Sequence, residues 1–249
     1  MLWWYFPLLF ATGMFVGFIN TIAGSGSFLS LPVLIFTGMP ANVANGTNRI
    51  SILMSSLTGV LSFNKKGFFD IRNALILAAF VIPGAIAGTF FVIEIPDELV
   101  EKLIGYIMLI FALLTIWKPR TFNRPPQSQA NVRIRWYHCL MFVLIGFYGG
   151  FIQAGVGIFM LFALVMSLGY DLMNANSIKL ALTLVFTPFS LAVFIYHNQV
   201  EWIPGLILAA GSIIGAMLGA RAALRKGIGF IKTILFAVLI LSALKLIFS

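Results

Sequence analysis

Ten long apolar runs, separated by short polar loops, fill almost all of this 249-residue sequence. Hydrophobic residues make up 61% of the chain and charged residues only 9%, against roughly 25% in soluble domains. A soluble protein with so few polar groups could not cover its own surface. The pattern therefore predicts an all-α membrane protein, because helices satisfy their backbone hydrogen bonds in lipid.

The predicted helical segments differ in length. They are 3–23, 27–38, 44–63, 73–93, 99–117, 137–154, 157–169, 175–196, 203–223 and 228–248. A helix needs about 20 apolar residues to cross a bilayer, and the segments 27–38 and 157–169 are too short. Each follows a glycine-rich stretch, which predicts a pair of broken or re-entrant helices. The sequence alone leaves open whether these segments span the membrane.

A polar stretch at 118–136 divides the chain into two halves, 1–117 and 137–249, and is predicted to be a cytoplasmic linker. The halves resemble each other in an ordered series of motifs. The matched pairs are Gly17-Phe18-Ile19-Asn20 with Gly150-Phe151-Ile152-Gln153, Ala23-Gly24 with Ala154-Gly155, Gly38 with Gly169, Ala44-Asn45 with Ala175-Asn176, Phe63 with Phe194, and Gly84/Gly88 with Gly211/Gly215. We interpret the chain as two repeats of five segments each. The Gly84/Gly88 and Gly211/Gly215 pairs are predicted to serve helix packing.

The charges of the loops predict the orientation of the repeats. Basic residues concentrate after segments 3, 5 and 9, whereas the loop after segment 4 is acidic. Since basic loops stay in the cytoplasm, both termini are expected on the other side of the membrane. The membrane itself is expected to be the bacterial inner (plasma) membrane. Equivalent loops of the two halves carry opposite charge bias, which predicts that the repeats are inverted relative to each other. The net charge of +9 thus reflects membrane topology, and no nucleic-acid partner is expected.

Paired broken helices in inverted repeats indicate a transport site near the middle of the bilayer. Exposed amides at a helix start favour an anion, and Gly24, Gly26, Gly155 and Gly157 would allow its close approach. The alternative is that these glycines only let helices pack.

Two cations, Arg49 and Lys179, lie about one turn inside apolar segments, at nearly equivalent places in the two halves. A charge there costs roughly 2.5–3.5 kcal/mol on insertion scales, and no carboxylate lies near either in sequence. An anionic substrate is the simplest partner. The alternative is that both side chains extend to opposite membrane surfaces. Further polar candidates for the site are Asn20, Ser25, Ser27, Asn45, Asn48, Gln153, Asn176 and Thr183.

The motifs Gly17-Phe18-Ile19-Asn20-x-x-Ala23-Gly24-x-Gly26, Ala41-x-x-Ala44-Asn45-Gly46-Thr47-Asn48 and Gly146-x-x-x-Gly150-x-x-x-Ala154-Gly155-x-Gly157 resemble the sulfite exporter TauE/SafE family. The resemblance covers essentially the whole chain. It implies transport of sulfur-containing anions, sulfite or sulfonates such as sulfoacetate. It leaves the individual substrate, the direction, the coupling ion and the oligomeric state open.

Three alternatives to a secondary transporter of such anions remain at this point. The same polar centre could serve an anion channel or carry a non-sulfur anion such as a carboxylate. A hydrolase would use Ser25 or Ser27 with His138 or His197, but both histidines lie at segment ends. With a single cysteine, Cys139, a cysteine-based metal site is excluded, and neither a metal nor a cofactor is expected.

Overall fold

The computed structural model describes residues 5–64, 71–116 and 134–225, and these residues form α-helices without strands. In chain order the helices are α1 (Tyr5–Ala23), α2 (Ser27–Phe36), α3 (Ala41–Asn64), α4 (Ile71–Ile93), α5 (Asp97–Ile116), α6 (Trp136–Phe151), α7 (Val156–Phe162), α8 (Leu172–Tyr196) and α9 (Trp202–Arg225). The predicted tenth segment, 228–248, and nearly all of the predicted linker, 118–136, lie outside the described residues.

The nine helices begin within a few residues of the first nine predicted segments, and all but α7 also end within a few residues of them; α7 ends at Phe162, seven residues before the predicted end. The two segments predicted to be short are short. Helix α2 has 10 residues, and α7 has 7 before it continues as a π-helical turn at Ala163–Ser167. Among the described residues, four helices are long and apolar enough to cross a membrane, over Tyr5–Ala23, Arg72–Ile93, Leu172–Tyr196 and Trp202–Ala223. The described part of the chain is therefore that of a helical, multi-pass membrane protein.

Polar side chains lie inside the helix bundle and large apolar ones lie outside. Helix α3 buries much of its polar face, including Asn45, Asn48, Arg49 and Ser55. Exposed apolar side chains include Phe15, Phe91, Ile110, Leu144 and Ile203. Water would penalise such an exterior, whereas lipid accepts it and every buried polar group must find a partner within the protein.

Helix α1 packs lengthwise on α9, which comes from the other half of the sequence. A Cβ at Gly211 would overlap the Phe10 carbonyl, and one at Gly215 would overlap the Met14 carbonyl. The later glycine meets the later residue, so the two helices run parallel. Their backbones approach closely because these positions lack side chains.

Helices α4 and α6 make the corresponding contact. A Cβ at Gly84 would overlap the Val143 carbonyl, and one at Gly88 would overlap the Phe147 carbonyl. These helices also run parallel. The prediction that both glycine pairs serve helix packing is confirmed.

Helices α3 and α8 pack against each other and also against α9 and α4, respectively. Gly46, near the start of α3, lies against Phe194 near the end of α8, whereas Gly59 lies against Leu180 near the start of α8. The two helices are therefore antiparallel. This crossing brings the polar faces of both helices into the interior.

Candidate functional site

The first helix break separates α1 from α2. Helix α1 ends at Ala23, Gly24 adopts a left-handed conformation with φ of +70°, and α2 begins at Ser27. Only glycine adopts this conformation without steric cost, and it is the usual way for a helix to end. The amide of Gly24 still donates to the Asn20 carbonyl over 2.9 Å, and the break leaves the carbonyl groups after Asn20 without the amides that a continuing helix would supply.

The second break separates α6 from α7. Helix α6 ends at Phe151, and both Gln153 and Gly155 have positive φ, of +64° and +76°. The Tyr148 hydroxyl donates a 2.5 Å hydrogen bond to the Ala154 carbonyl, which holds the irregular segment against α6. The carbonyls at the end of α6 are thus also free to accept hydrogen bonds from side chains.

The two breaks touch each other. The amide of Gly157 donates to the carbonyl of Gly24 over 3.2 Å. A Cβ at Gly24 would lie 2.9 Å from the carbonyl carbon of Gly157 and 3.1 Å from Cδ of Lys179. No side chain fits at this crossing, so both glycines are needed for the approach of the two breaks.

Lys179 reaches from α8 to the broken end of α1. Its Nζ donates to the carbonyl of Asn20 over 2.9 Å and to Oδ1 of Asn176 over 2.7 Å. The Asn176 amide in turn donates to the carbonyl of Thr21 over 3.0 Å. The side chain of Lys179 is 1% exposed. A cation and an amide from the second half therefore close the end of a helix in the first half.

Arg49 makes the reciprocal contact from α3 to the end of α6. Its guanidinium donates to the carbonyls of Gly149 and Gly150 over 3.1 and 2.5 Å and lies 3.4 Å from Oδ1 of Asn45. The Asn45 amide donates to the carbonyl of Phe151 over 2.7 Å. The guanidinium carbon also lies 4.8 Å from the ring centre of Phe194, within cation–π range.

Both cations lie deep in the protein. Arg49 is 0% exposed and lies about 12 Å along α3, whereas Lys179 lies about 11 Å along α8. Because these helices are antiparallel, the two distances start from opposite sides of the helix bundle. Neither side chain extends to a membrane surface, so the alternative that both do is wrong. The cations have partners that the sequence did not indicate, namely the carbonyls of helix ends.

The remaining predicted polar residues are all buried but form separate contacts. Asn48 donates to Ser27 over 3.0 Å and accepts a 2.5 Å hydrogen bond from Ser30, which ties α3 to α2. Asn20 donates to Ser55 over 2.9 Å, which ties α3 to α1. Ser30 and Ser55 were not predicted, although Ser55 follows Asn48 at a spacing of two helical turns, which could have shown it.

The second half contributes fewer side-chain contacts. Gln153 donates to Thr187 over 3.2 Å, and Thr183 donates to the carbonyl of Lys179 over 2.9 Å. Thr183 therefore stabilises its own helix. Thr187 is the third residue that sequence reasoning missed.

Three predicted residues of the breaks have distinct surroundings. Gly26 packs against α1, where an added Cβ would lie 3.0 Å from Cβ of Asn20. Gly155 packs against the ring of Phe28, which an added Cβ would approach to 2.7 Å. Ser25 is 1% exposed, and its hydroxyl has no hydrogen-bond partner among the described residues.

The arrangement offers no support for a hydrolase. The Ser27 hydroxyl accepts from Asn48, whereas Nδ1 of His138 accepts from the Arg135 amide over 2.9 Å. His197 is exposed at the end of α8. The described residues place neither histidine against Ser25, and they contain no group of three metal-binding side chains.

The closeness of Gly24 to Gly157 predicts a specific effect on stability. Gly24→Ala should lower the free energy of unfolding by about 1–3 kcal/mol more than Gly38→Ala, because only Gly24 would force backbone apart. Gly38 is a matched control, since it also has positive φ but an added Cβ would meet nothing within 4 Å. Thermal unfolding of the purified variants in detergent measures the difference. Equal losses would contradict a close approach of the two breaks.

The chain resembles known membrane proteins along nearly its whole length. The sequence model of the family described as "Sulfite exporter TauE/SafE" matches residues 9–246. A "Probable membrane transporter protein" of Haemophilus influenzae is 28% identical over 97% of this chain and 94% of its own length. "Probable membrane transporter protein ORF9" of Sinorhizobium sp is 27% identical over 96% and 91%. "Probable membrane transporter protein YfcA" of Escherichia coli K12 is 27% identical over 97% and 89%. No solved structure matches. The chain therefore belongs to the TauE/SafE family of membrane transporters.

Proposed function

We propose that this chain is a secondary transporter that moves small sulfur-containing anions, sulfite or organosulfonates such as sulfoacetate, across the bacterial inner membrane by alternating access. One observation carries the proposal. Arg49 and Lys179 are almost completely buried, and every acceptor that the described residues offer them is a neutral oxygen. Buried charges are normally paired with opposite charges. A small anion would supply the negative charge that both cations lack.

The helix ends compensate the two cations only in part. The C-terminus of a helix carries the equivalent of about half a negative charge. The ends of α1 and α6 therefore offset about one of the two positive charges. The centre therefore retains about one unit of positive charge, which favours the binding of an anion.

Donors remain for such an anion. The Nε–H of Arg49 is buried without a partner among the described residues, and so is the hydroxyl of Ser25, which lies two residues before the start of α2. An ammonium group has three donors, and the described contacts use two from Lys179. A sulfite or sulfonate group presents three oxygens to donors of this kind. We propose Arg49, Lys179 and Ser25 as residues that contact the anion.

The packing of the helices supports the inverted repeat that the motifs predict. Gly84 meets the Val143 carbonyl just as its counterpart Gly211 meets the Phe10 carbonyl. The helices that would be equivalent, α3 and α8, run antiparallel. One repeat inverted onto the other would produce this pattern, and it is the architecture in which two halves rock around a central site.

The burial of the centre favours alternating access over a channel. An open pore would expose the charged groups that line it, whereas Arg49 and Lys179 are 0% and 1% exposed. The Gly24–Gly157 backbone contact closes the space between the breaks. We interpret this conformation as an occluded state of the proposed cycle.

Orientation and driving force follow from charge. We propose that the basic loops face the cytoplasm and that both termini lie outside it. Anion export would then be favoured by the membrane potential, at about 2.3 kcal/mol per charge per 100 mV. A uniporter is therefore sufficient, and a proton-coupled carboxylate is not required.

Proteoliposomes test this function. With reconstituted protein, uptake of labelled sulfoacetate should saturate with concentration and accelerate when unlabelled sulfite or sulfoacetate is inside the vesicles. Succinate, a dianion of similar size with a second carboxylate in place of the sulfonate, serves as the comparison. Sulfur anions should compete with labelled sulfoacetate much more strongly than succinate does.

The outcomes separate the alternatives. Uptake equal to that of empty liposomes for every sulfur anion would reject the proposal. Saturable uptake of succinate alone would assign a carboxylate transporter, and single-channel currents in planar bilayers would assign a channel.

A further inference from the structure

The oxygen atoms around Nζ of Lys179 resemble the ligands of a monovalent cation. They are the backbone carbonyl of Asn20 and Oδ1 of Asn176, at 2.9 and 2.7 Å. Both are neutral and buried, and backbone carbonyls and amide oxygens are the groups that bind hard cations. The hydroxyl of Thr21, in the same helical turn as Asn20, is also buried and has no partner among the described residues. Three oxygen-bearing groups therefore lie around the broken end of α1.

This arrangement is held in place without the lysine. The Asn176 amide donates to the Thr21 carbonyl, which orients Oδ1 toward the ammonium. The amide of Gly24 donates to the same Asn20 carbonyl over 2.9 Å, which fixes the last turn of α1. The helix end adds partial negative charge. In transporters with broken helices, such helix ends and unwound carbonyls bind the coupling cation.

We propose that these groups form a monovalent-cation site that the protein fills with its own side chain. The ammonium of Lys179 occupies the place that a soluble cation would take, tethered by a stem that passes Gly24. Replacing Lys179 with alanine opens the site to a soluble ammonium or alkali-metal ion. The site itself does not depend on which anion is carried.

A consequence for coupling rests on the proposed function. Because the cation is part of the chain, anion transport by the unmodified protein should be the same in sodium, potassium and choline salts. Transport by the Lys179→Ala variant should depend on the added cation.

The site can be tested through stability, independently of transport. Thermal unfolding of purified Lys179→Ala is measured in detergent with methylammonium, ammonium, potassium, sodium or choline chloride at equal ionic strength. Methylammonium, which restores Cε and Nζ of the removed side chain, or ammonium, which restores Nζ, should raise the unfolding midpoint by about 5 °C when saturating. Choline has no N–H group and is too large, so it reports the effect of salt alone. The unmodified protein and Lys102→Ala, which removes an exposed lysine, should show no cation-specific shift.

The results decide the proposal in either direction. A shift restricted to small cations and to Lys179→Ala supports it, whereas no shift beyond that in choline overturns it. If Lys179→Ala yields no folded protein, recovery of folded protein from membranes solubilised with methylammonium supports the site, and no recovery overturns it. Lys179→Met, which has an uncharged side chain one atom shorter that extends toward the site, should fold and should not respond to cations.

A failure here is distinguishable from a failure of the proposed function. Proteoliposomes could carry sulfoacetate normally while Lys179→Ala shows no cation response, which would reject only the cation site. The reverse result would retain the cation site and reject the anion transporter.

Discussion

Lys179→Ala should weaken the binding of a transported sulfur anion by about 30-fold or more. The substitution removes one of two buried cations, and truncating one partner of a buried, hydrogen-bonded charge pair typically costs 2–5 kcal/mol, where 1.4 kcal/mol is tenfold. Lys179 also contacts the end of α1, so anion binding and the shape of the break should be lost together. Competition with labelled sulfoacetate, measured on folded protein in detergent, gives the affinity.

The control for this prediction is Lys102→Ala, which also removes one positive charge but at an exposed position on α5. It should bind sulfoacetate like the unmodified protein. Unchanged affinity and flux in Lys179→Ala would remove Lys179 from the site. Adding methylammonium to this variant separates two roles. If anion binding returns with stability, a positive charge at the helix end is sufficient for binding.

Arg49→Lys should weaken anion binding by about 10- to 100-fold although the charge is retained. The planar guanidinium spans the carbonyls of Gly149 and Gly150 and still has Nε available. Lysine is a compact point charge and cannot reproduce this fork. A hydrogen bond to a charged group contributes about 1.5–3 kcal/mol, which sets the expected range.

Arg72→Lys is the matched control, because Arg72 is exposed at the start of α4. Concentration-dependent uptake into proteoliposomes distinguishes the roles of Arg49. A higher KM with unchanged kcat would show that Arg49 binds the anion equally in the ground and transition states. Equal kinetics of Arg49→Lys and the unmodified protein would mean that charge alone matters at this position.

Stability gives a second view of both cations. Arg49 donates to two carbonyls in the last turn of α6. Lys179 adds a second hydrogen bond to the Asn20 carbonyl, which also accepts from the Gly24 amide at the end of α1. Each side chain therefore links its own helix to the broken end of a helix in the other half. Loss of either should destabilise the opposite half of the protein as well as its own.

Much of this protein was predictable from local patterns in the sequence. Apolar runs are long because lipid demands about 20 residues per crossing, so nine described helices appear where the runs predict them. The glycines before the short segments indicated the breaks, since positive φ at positions such as Gly24 and Gly155 is a local steric property. The unusual cost of charges inside apolar segments singled out Arg49 and Lys179. These features depend only on residues close together in the chain.

Only the tertiary structure revealed what the two cations contact. Their acceptors lie between 100 and 159 positions away for the contacts to Gly149, Gly150 and Asn20, and they are backbone carbonyls. Every residue has such a carbonyl, so no side-chain pattern distinguishes the few at a helix break that accept a hydrogen bond from a distant cation. Likewise, the pairing of α1 with α9 and of α4 with α6 depends on which helices meet in space. Sequence patterns indicated that two positive charges are buried. Only the tertiary structure showed that each charge is hydrogen-bonded to the end of a helix from the other half of the chain.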